Sequence, residues 1–133
     1  YQAGTLSGNP ISVAAGLVTL KQVAKTNFYP QQAAKLTRLL TGLRDLAAKR
    51  SIPIQLAQSG TMWGFFFSEK PVLSLADALQ SDTKRWQKFC LAMYRNGVYL
   101  APSPFEAAFW SSAHGVAEIR QTLQAAAQAF DLC

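Results

Sequence analysis

Residues 52–67 read IPIQLAQSGTMWGFFF, and the spacing of apolar residues changes there. Ile52–Leu56 predicts a short strand, Ser59-Gly60 a turn, and Met62–Phe67 a second strand, because β-branched and aromatic side chains favour a pleated surface. Upstream, Leu36, Leu39, Leu40, Leu43 and Leu46 recur at helical spacing. Lys35, Arg38, Arg44, Lys49 and Arg50 take the opposite face, so residues 31–49 form an amphipathic helix opened by Phe28-Tyr29-Pro30. Downstream, SEKP (68–71) is a turn, and Asp82 caps a helix over 83–96 in which Trp86, Phe89, Cys90 and Met93 share a face. Asn96-Gly97 closes it, since glycine adopts the left-handed conformation at low cost. Val98–Leu100 predicts a further short strand, and APSPFEAAFW (101–110) a proline-bounded loop leading toward a last one. A final helix over 116–131 places Ile119, Leu123, Ala126, Ala127 and Phe130 on one side. The expectation is an α/β or α+β-like small domain: a short, mainly antiparallel sheet packed by three to four helices.

The N-terminal stretch has a different character. GTLSGNP (4–10) is small and hydroxyl-rich, and ISVAAGLVTL (11–20) follows it at once. Asn9 suits a helix cap and Pro10 the first helical position. A helix apolar all round is expected to be buried. The turn before it admits two readings. The first amides of a helix lack partners, the helix dipole favours an anion, glycines allow close approach, and Thr5 or Ser7 adds a hydroxyl. An ordinary buried-helix entry explains the same residues, and the local pattern leaves both open.

Of the 133 residues, 50% are hydrophobic but only 15% charged, against about a quarter in an average soluble domain. Part of the surface is therefore expected to be covered by another domain or subunit. The chain opens at Tyr1 inside a structured motif, which suggests a piece of a longer protein. A net charge of +6 raises nucleic acid as a partner. The basic residues are scattered, however, so solvated helix faces are the preferred reading and no nucleic acid is expected. No run is long enough to span a bilayer and no signal peptide is visible. Cys90 lies in a helical pattern and Cys133 is the last residue. They make no disulfide framework and no metal cluster, and a reducing, cytoplasmic setting fits them best.

Candidate chemistry is sparse. His114, the only histidine, precedes the last helix, and a structural hydrogen-bonding role is the simplest reading. No metal-ligand spacing occurs. Glu106 stands between Phe105 and Ala107 in an apolar loop, where a carboxylate needs a partner or a purpose. An ion pair pinning the loop and a place in a functional site remain equal alternatives.

Taken whole, the chain resembles the C-terminal portion of the glutamate-1-semialdehyde 2,1-aminomutase family. These are pyridoxal-phosphate enzymes of the class III aminotransferase group, with a fold-type I architecture. YQAGTLSGNPISVAAGL (1–17), GTMWGFFF (60–67), NGVYLAPSPFEAAF (96–109) and SSAHG (111–115) carry the resemblance. The Gly-Thr-x-x-Gly-Asn-Pro element marks the class III group, whereas GVYLAPSPFEAAF is more specific to the aminomutases. The chain departs from the family's pattern at Ala108, where glycine is usual, and at Gly115, where threonine or serine is usual.

The resemblance implies that residues 1–27 end the large cofactor-binding domain and 28–133 form the C-terminal small domain. It implies that Gly4 and Thr5 bind the phosphate of pyridoxal 5'-phosphate across a homodimer interface, and that Glu106 lies close to the substrate site. It implies an isomerase that converts a small-molecule substrate, glutamate-1-semialdehyde, to 5-aminolevulinate for tetrapyrroles, working with the N-terminal and large domains of the same protein. The family's Schiff-base lysine lies in a glycine-rich segment upstream of YQAGT. None of Lys21, Lys25, Lys35, Lys49, Lys70, Lys84 or Lys88 has that context, so no catalytic residue is assigned and the chain alone is expected to be inactive. The rival readings are another class III ω-aminotransferase and a non-catalytic binding module. The former generally holds a substrate carboxylate with an arginine, where this loop offers Glu106.

Overall fold

Three amphipathic helices and a short sheet share one apolar layer, and their residue spacing explains how. In the computed structural model, which describes residues 3–133, the helices are α1 (Pro10–Val23), α2 (Phe28–Ala48), α3 (Leu75–Ala78), α4 (Thr83–Arg95) and α5 (Val116–Phe130). The strands are β1 (Gln55–Ser59), β2 (Met62–Phe66) and β3 (Ala108–Phe109). They form one antiparallel sheet in the order β1-β2-β3, with Leu56 opposite Phe65 and Met62 opposite Phe109. Alternation along β2 sends Trp63, Phe65 and Phe67 to the helix side. There Phe65 meets Trp86 and Phe89 of α4 edge-on, at ring-centroid distances of 5.4 and 5.2 Å. Phe130 of α5 packs 4.8 Å from Phe89. Leu36, Leu39, Leu40 and Leu43 of α2 complete the core.

Close packing of α2 on α5 depends on a small residue. A Cβ on Gly42 would stand 2.7 Å from both terminal carbons of Leu123, closer than any side chain tolerates. Opposite it, α5 buries Ala125, Ala126 and Ala129. The sheet is covered on this side alone; on the other, Met62, Phe105 and Phe109 are exposed.

The small α+β architecture and its antiparallel sheet match the sequence expectation, and the three long helices lie within a few residues of their expected bounds. Three details differ. The first strand begins at Gln55 rather than Ile52, because the Ile52 amide closes the end of α2 on the Ala47 carbonyl and Pro53 has no N–H to give. Gly60-Thr61 forms the turn in place of Ser59-Gly60, with Gly60 supplying the positive φ of 59° that a two-residue connection needs. Val98–Leu100 is not a strand. Its first amide donates to the Met93 carbonyl and closes α4, and the segment then runs along that helix instead of pairing with the sheet.

The largest correction concerns α1. The sequence predicts a buried helix, yet no residue of α1 is buried, and Ile11 and Leu20 are 80% and 65% exposed. Nothing among the described residues covers it; the chain turns at 24–27 and α2 packs elsewhere. No helix among the described residues is long and apolar enough to cross a membrane.

Candidate functional site

The GTLSGNP turn is built from two overlapping reverse turns. The Ser7 amide donates to the Gly4 carbonyl and the Asn9 amide to that of Leu6, each at 3.0 Å. A Cβ on Gly4 would lie 2.9 Å from Ser7 Oγ, so glycine lets the hydroxyl sit tight over the turn. Asn9 Oδ1 then accepts from the amides of Ile11 and Ser12, both at 3.1 Å, while its carbonyl accepts from Val13. Those helix amides are therefore occupied, contrary to the simplest anion-binding picture. The donors left are in the turn itself. The amides of Thr5, Leu6 and Gly8 and the Thr5 hydroxyl have no partner among the described residues, and all are exposed. No acidic side chain stands in the first turn of α1 to oppose an anion.

Glu106 lies apart from that turn, on the uncovered side of the sheet. It borders an apolar groove of about 280 Å³ formed by Ala57, Met62, Gly64 and Phe66 of the sheet with Pro104 and Phe105 of the loop. Ser103 organises the bend: its carbonyl accepts from the Glu106 amide at 3.4 Å, and its Oγ from the Phe105 amide at 3.2 Å. The Glu106 side chain is exposed and makes neither an ion pair nor a hydrogen bond among the described residues. The structure thus gives no support to an ion pair that pins the loop. It leaves a carboxylate at the rim of an apolar groove.

His114 stands in a hydrogen-bonded turn before α5. Its Nδ1 accepts from the Ser111 amide at 3.1 Å, and its ring lies 4.7 Å from that of Trp110. Glu118 reaches back to the Gly115 amide at 2.7 Å, and this bond holds its carboxyl below the usual range. Glycine contributes no cap of its own, so half of a capping box is present. Of the seven lysines only Lys35 is even partly buried; the others are exposed on helices or turns.

Sequence reasoning missed the contacts behind the Glu106 loop. Trp86 Nε1 donates to the carbonyls of Ala101 and Pro102, and Cys90 Sγ to those of Leu100 and Ala101. Burial pushes the Cys90 thiol up, keeping it a neutral donor. The available signal was the four-residue spacing of Trp86 and Cys90 ahead of a proline-bounded loop.

Comparison with known proteins now bears on this geometry. A glutamate-1-semialdehyde 2,1-aminomutase of Roseiflexus castenholzii is 45% identical over 129 residues, which is 97% of this chain and 30% of that protein. The chain is homologous to a C-terminal portion of glutamate-1-semialdehyde 2,1-aminomutase. It spans under a third of that aminomutase's length. No family model matches. Solved structures agree on the fold. An omega-transaminase of Sphaerobacter thermophilus superposes with a TM-score of 0.78 at 19% identity, over 99% of this chain and 30% of that one. The FumI protein of Sphingopyxis sp. MTA144, solved in a form carrying PLP, gives 0.79 at 23% identity over 98% and 29%. The fold is that of the C-terminal subdomain of fold-type I pyridoxal-phosphate transferases.

Proposed function

We propose that this chain is the C-terminal part of an enzyme that moves an amino group between neighbouring carbons, converting glutamate-1-semialdehyde to 5-aminolevulinate. The observation that carries this reading is 45% identity to an aminomutase over nearly the whole chain. On this reading residues 1–27 belong to a large domain and 28–133 form the small one. That α1 buries no residue and that the turn after it is exposed support that division. The whole protein would be a cytoplasmic homodimer.

Pyridoxal 5'-phosphate, when bound, supplies the electron sink that this chemistry needs. The residues present fit its phosphate end: turn amides without a partner among the described residues, a hydroxyl and a helix mouth without acidic groups. Gly4 and Thr5 would hold that phosphate, presented to the partner subunit. None of the seven lysines is buried, and on this reading the amine that carries the proton between carbons would come from upstream. The chain alone would be inactive. Glu106 would stand at the substrate's side, attracting an ammonium and repelling a carboxylate. An ω-amino-acid aminotransferase generally grips a substrate carboxylate with arginine where this loop offers Glu106; the carboxylate that glutamate-1-semialdehyde itself carries would be held by another group.

The test is an assay of the whole protein, its reading frame followed upstream of Tyr1. An aminomutase forms 5-aminolevulinate from the semialdehyde with no added amino acceptor. Turnover only when a separate keto acid is supplied would assign an aminotransferase instead. Thr5→Val should weaken cofactor retention through gel filtration, and unchanged retention would remove the phosphate clamp.

A further inference from the structure

The loop that carries Glu106 has little backbone ladder to hold it. Residues 98–107 make no strand, and Pro102 and Pro104 cannot donate hydrogen bonds. Carbonyls in such a segment still need donors. Two side chains of α4 provide them. Trp86 and Cys90 are one helical turn apart and point along the same face. The Trp86 indole N–H is shared between the Ala101 carbonyl at 3.2 Å and the Pro102 carbonyl at 3.1 Å. The Cys90 thiol lies 3.4 Å from the Leu100 carbonyl and 3.5 Å from that of Ala101.

The anchor is itself immobile. Trp86 is 5% exposed, with its ring packed edge-on against Phe65. Pro104 is buried. Behind Glu106 only a space of about 20 Å³ remains, walled by Trp63, Phe65, Trp86 and Pro104. It has room for about one water. The loop is therefore clamped from the core side, two to six residues before Glu106, while the carboxylate borders the groove on the outer side.

We infer that Trp86 is a positioning residue for Glu106, with Cys90 as its weaker second tie, and that the pair sets where the carboxylate stands over the outer groove. The inference rests on the reading that Glu106 lies at the substrate site. Trp86→Phe keeps the aromatic packing and removes the donor. In the 133-residue chain, amide hydrogen exchange across 103–107 should quicken about fivefold or more, as loss of one net hydrogen bond allows, while the core of α2 and α5 stays as protected as before. Unchanged exchange across 103–107 would overturn the inference.

In the whole protein, Trp86→Phe should lower kcat/KM by about tenfold, the size expected when a group near the chemistry is misplaced. The same change on a Glu106→Gln background should cost almost nothing more. Equal losses on both backgrounds would make Trp86 a purely structural residue and sink this inference alone. If Glu106→Gln by itself left activity at the parent level, the substrate-site reading would fall and take this inference with it. Should Trp86→Phe prove too unstable to purify, Cys90→Ala carries the same cycle with a smaller expected effect.

Discussion

Helices α1 and α5 are nearly equal in length, 14 and 15 residues, and they are stabilised in opposite ways. α1 has a complete cap: Asn9 satisfies two amides and Pro10 occupies the first position. It buries nothing. α5 has half a cap, because Gly115 has no side chain to give, yet it buries Ile119, Ala125, Ala126, Ala129 and Phe130. Local signals start a helix, and burial of one face decides whether it contributes to a core. Fourteen residues in water are marginal as an isolated helix, so the partner surface for α1 is not supplied by residues 28–133.

Substituting one residue in each layer gives the largest contrast. Phe89→Ala, in the aromatic cluster, should destabilise the chain by about 3–5 kcal/mol, visible as a collapse of the thermal transition. Leu17→Ala, in α1, should leave that transition within about 0.5 kcal/mol of the parent. A comparable loss at Leu17 would mean that α1 packs on the domain after all. The same exposure predicts self-association of the chain through α1. Light scattering at high concentration should show oligomers that Leu17→Glu dissolves, and a clean monomer would refute it.

The cap of α1 comes next in size. Asn9→Ala should weaken α1 by about 1 kcal/mol, since nothing else holds its first turn. Exchange should rise along residues 11–15 with no change in the global melt. Loss of both together would tie α1 to the core.

Most of this architecture was legible because it depends on spacing. The four leucines of α2 and the aromatics of β2 and α4 name the core directly, since each sits on the one face its period allows. What was not legible depended on partners distant in sequence. Val98–Leu100 has strand-like residues, but Met93 takes its first amide and Cys90 accompanies its last carbonyl, so tertiary contacts override propensity. Apolar content alone marked α1 as buried, and it could not say by what. For the site, the residues alone pointed to the GTLSGNP turn and to Glu106, and the family resemblance narrowed the turn to Gly4 and Thr5. The sequence marked Asn9 as a cap, whose oxygen takes the helix amides that an anion would need, but it gave no warning that Trp86 and Cys90 brace the loop from behind. Those facts are geometry between residues whose types are unremarkable one at a time.

Acid should act on one helix and not the other. Hydrogen bonding to Arg50 holds the Asp131 carboxyl at the end of α5 below its ordinary value of 3.8. Hydrogen bonds from Ser74 and Leu73 do the same for Asp77, and the Gly115 amide lowers Glu118 from 4.5. A carboxylate with a lowered folded pKa contributes stability above its unfolded pKa and loses it as the pH falls through the folded one. Melting temperature should therefore hold at neutral pH and decline below about pH 4.5, where these groups begin to protonate. Asp131→Asn should make the decline shallower. α1 contains no acidic residue, so exchange along it should be insensitive to the same titration.

The smallest effect completes the cap that α5 lacks. Gly115 is extended, with φ −121° and ψ −159°, a conformation open to any residue. Serine there would place an oxygen to accept from the Glu118 amide while the Glu118 carboxylate keeps its bond to the residue 115 amide. The new Cβ would lie 3.3 Å from Glu118 Oε2, the mobile end of an exposed side chain that can yield. Gly115→Ser should then stabilise the chain by a few tenths of a kcal/mol, about the difference between the two residues as caps. Paired denaturant titrations can resolve it if the slope is unchanged. A loss instead of a gain would mean that the carboxylate cannot move aside, and that α5 is held at its start by Glu118 alone.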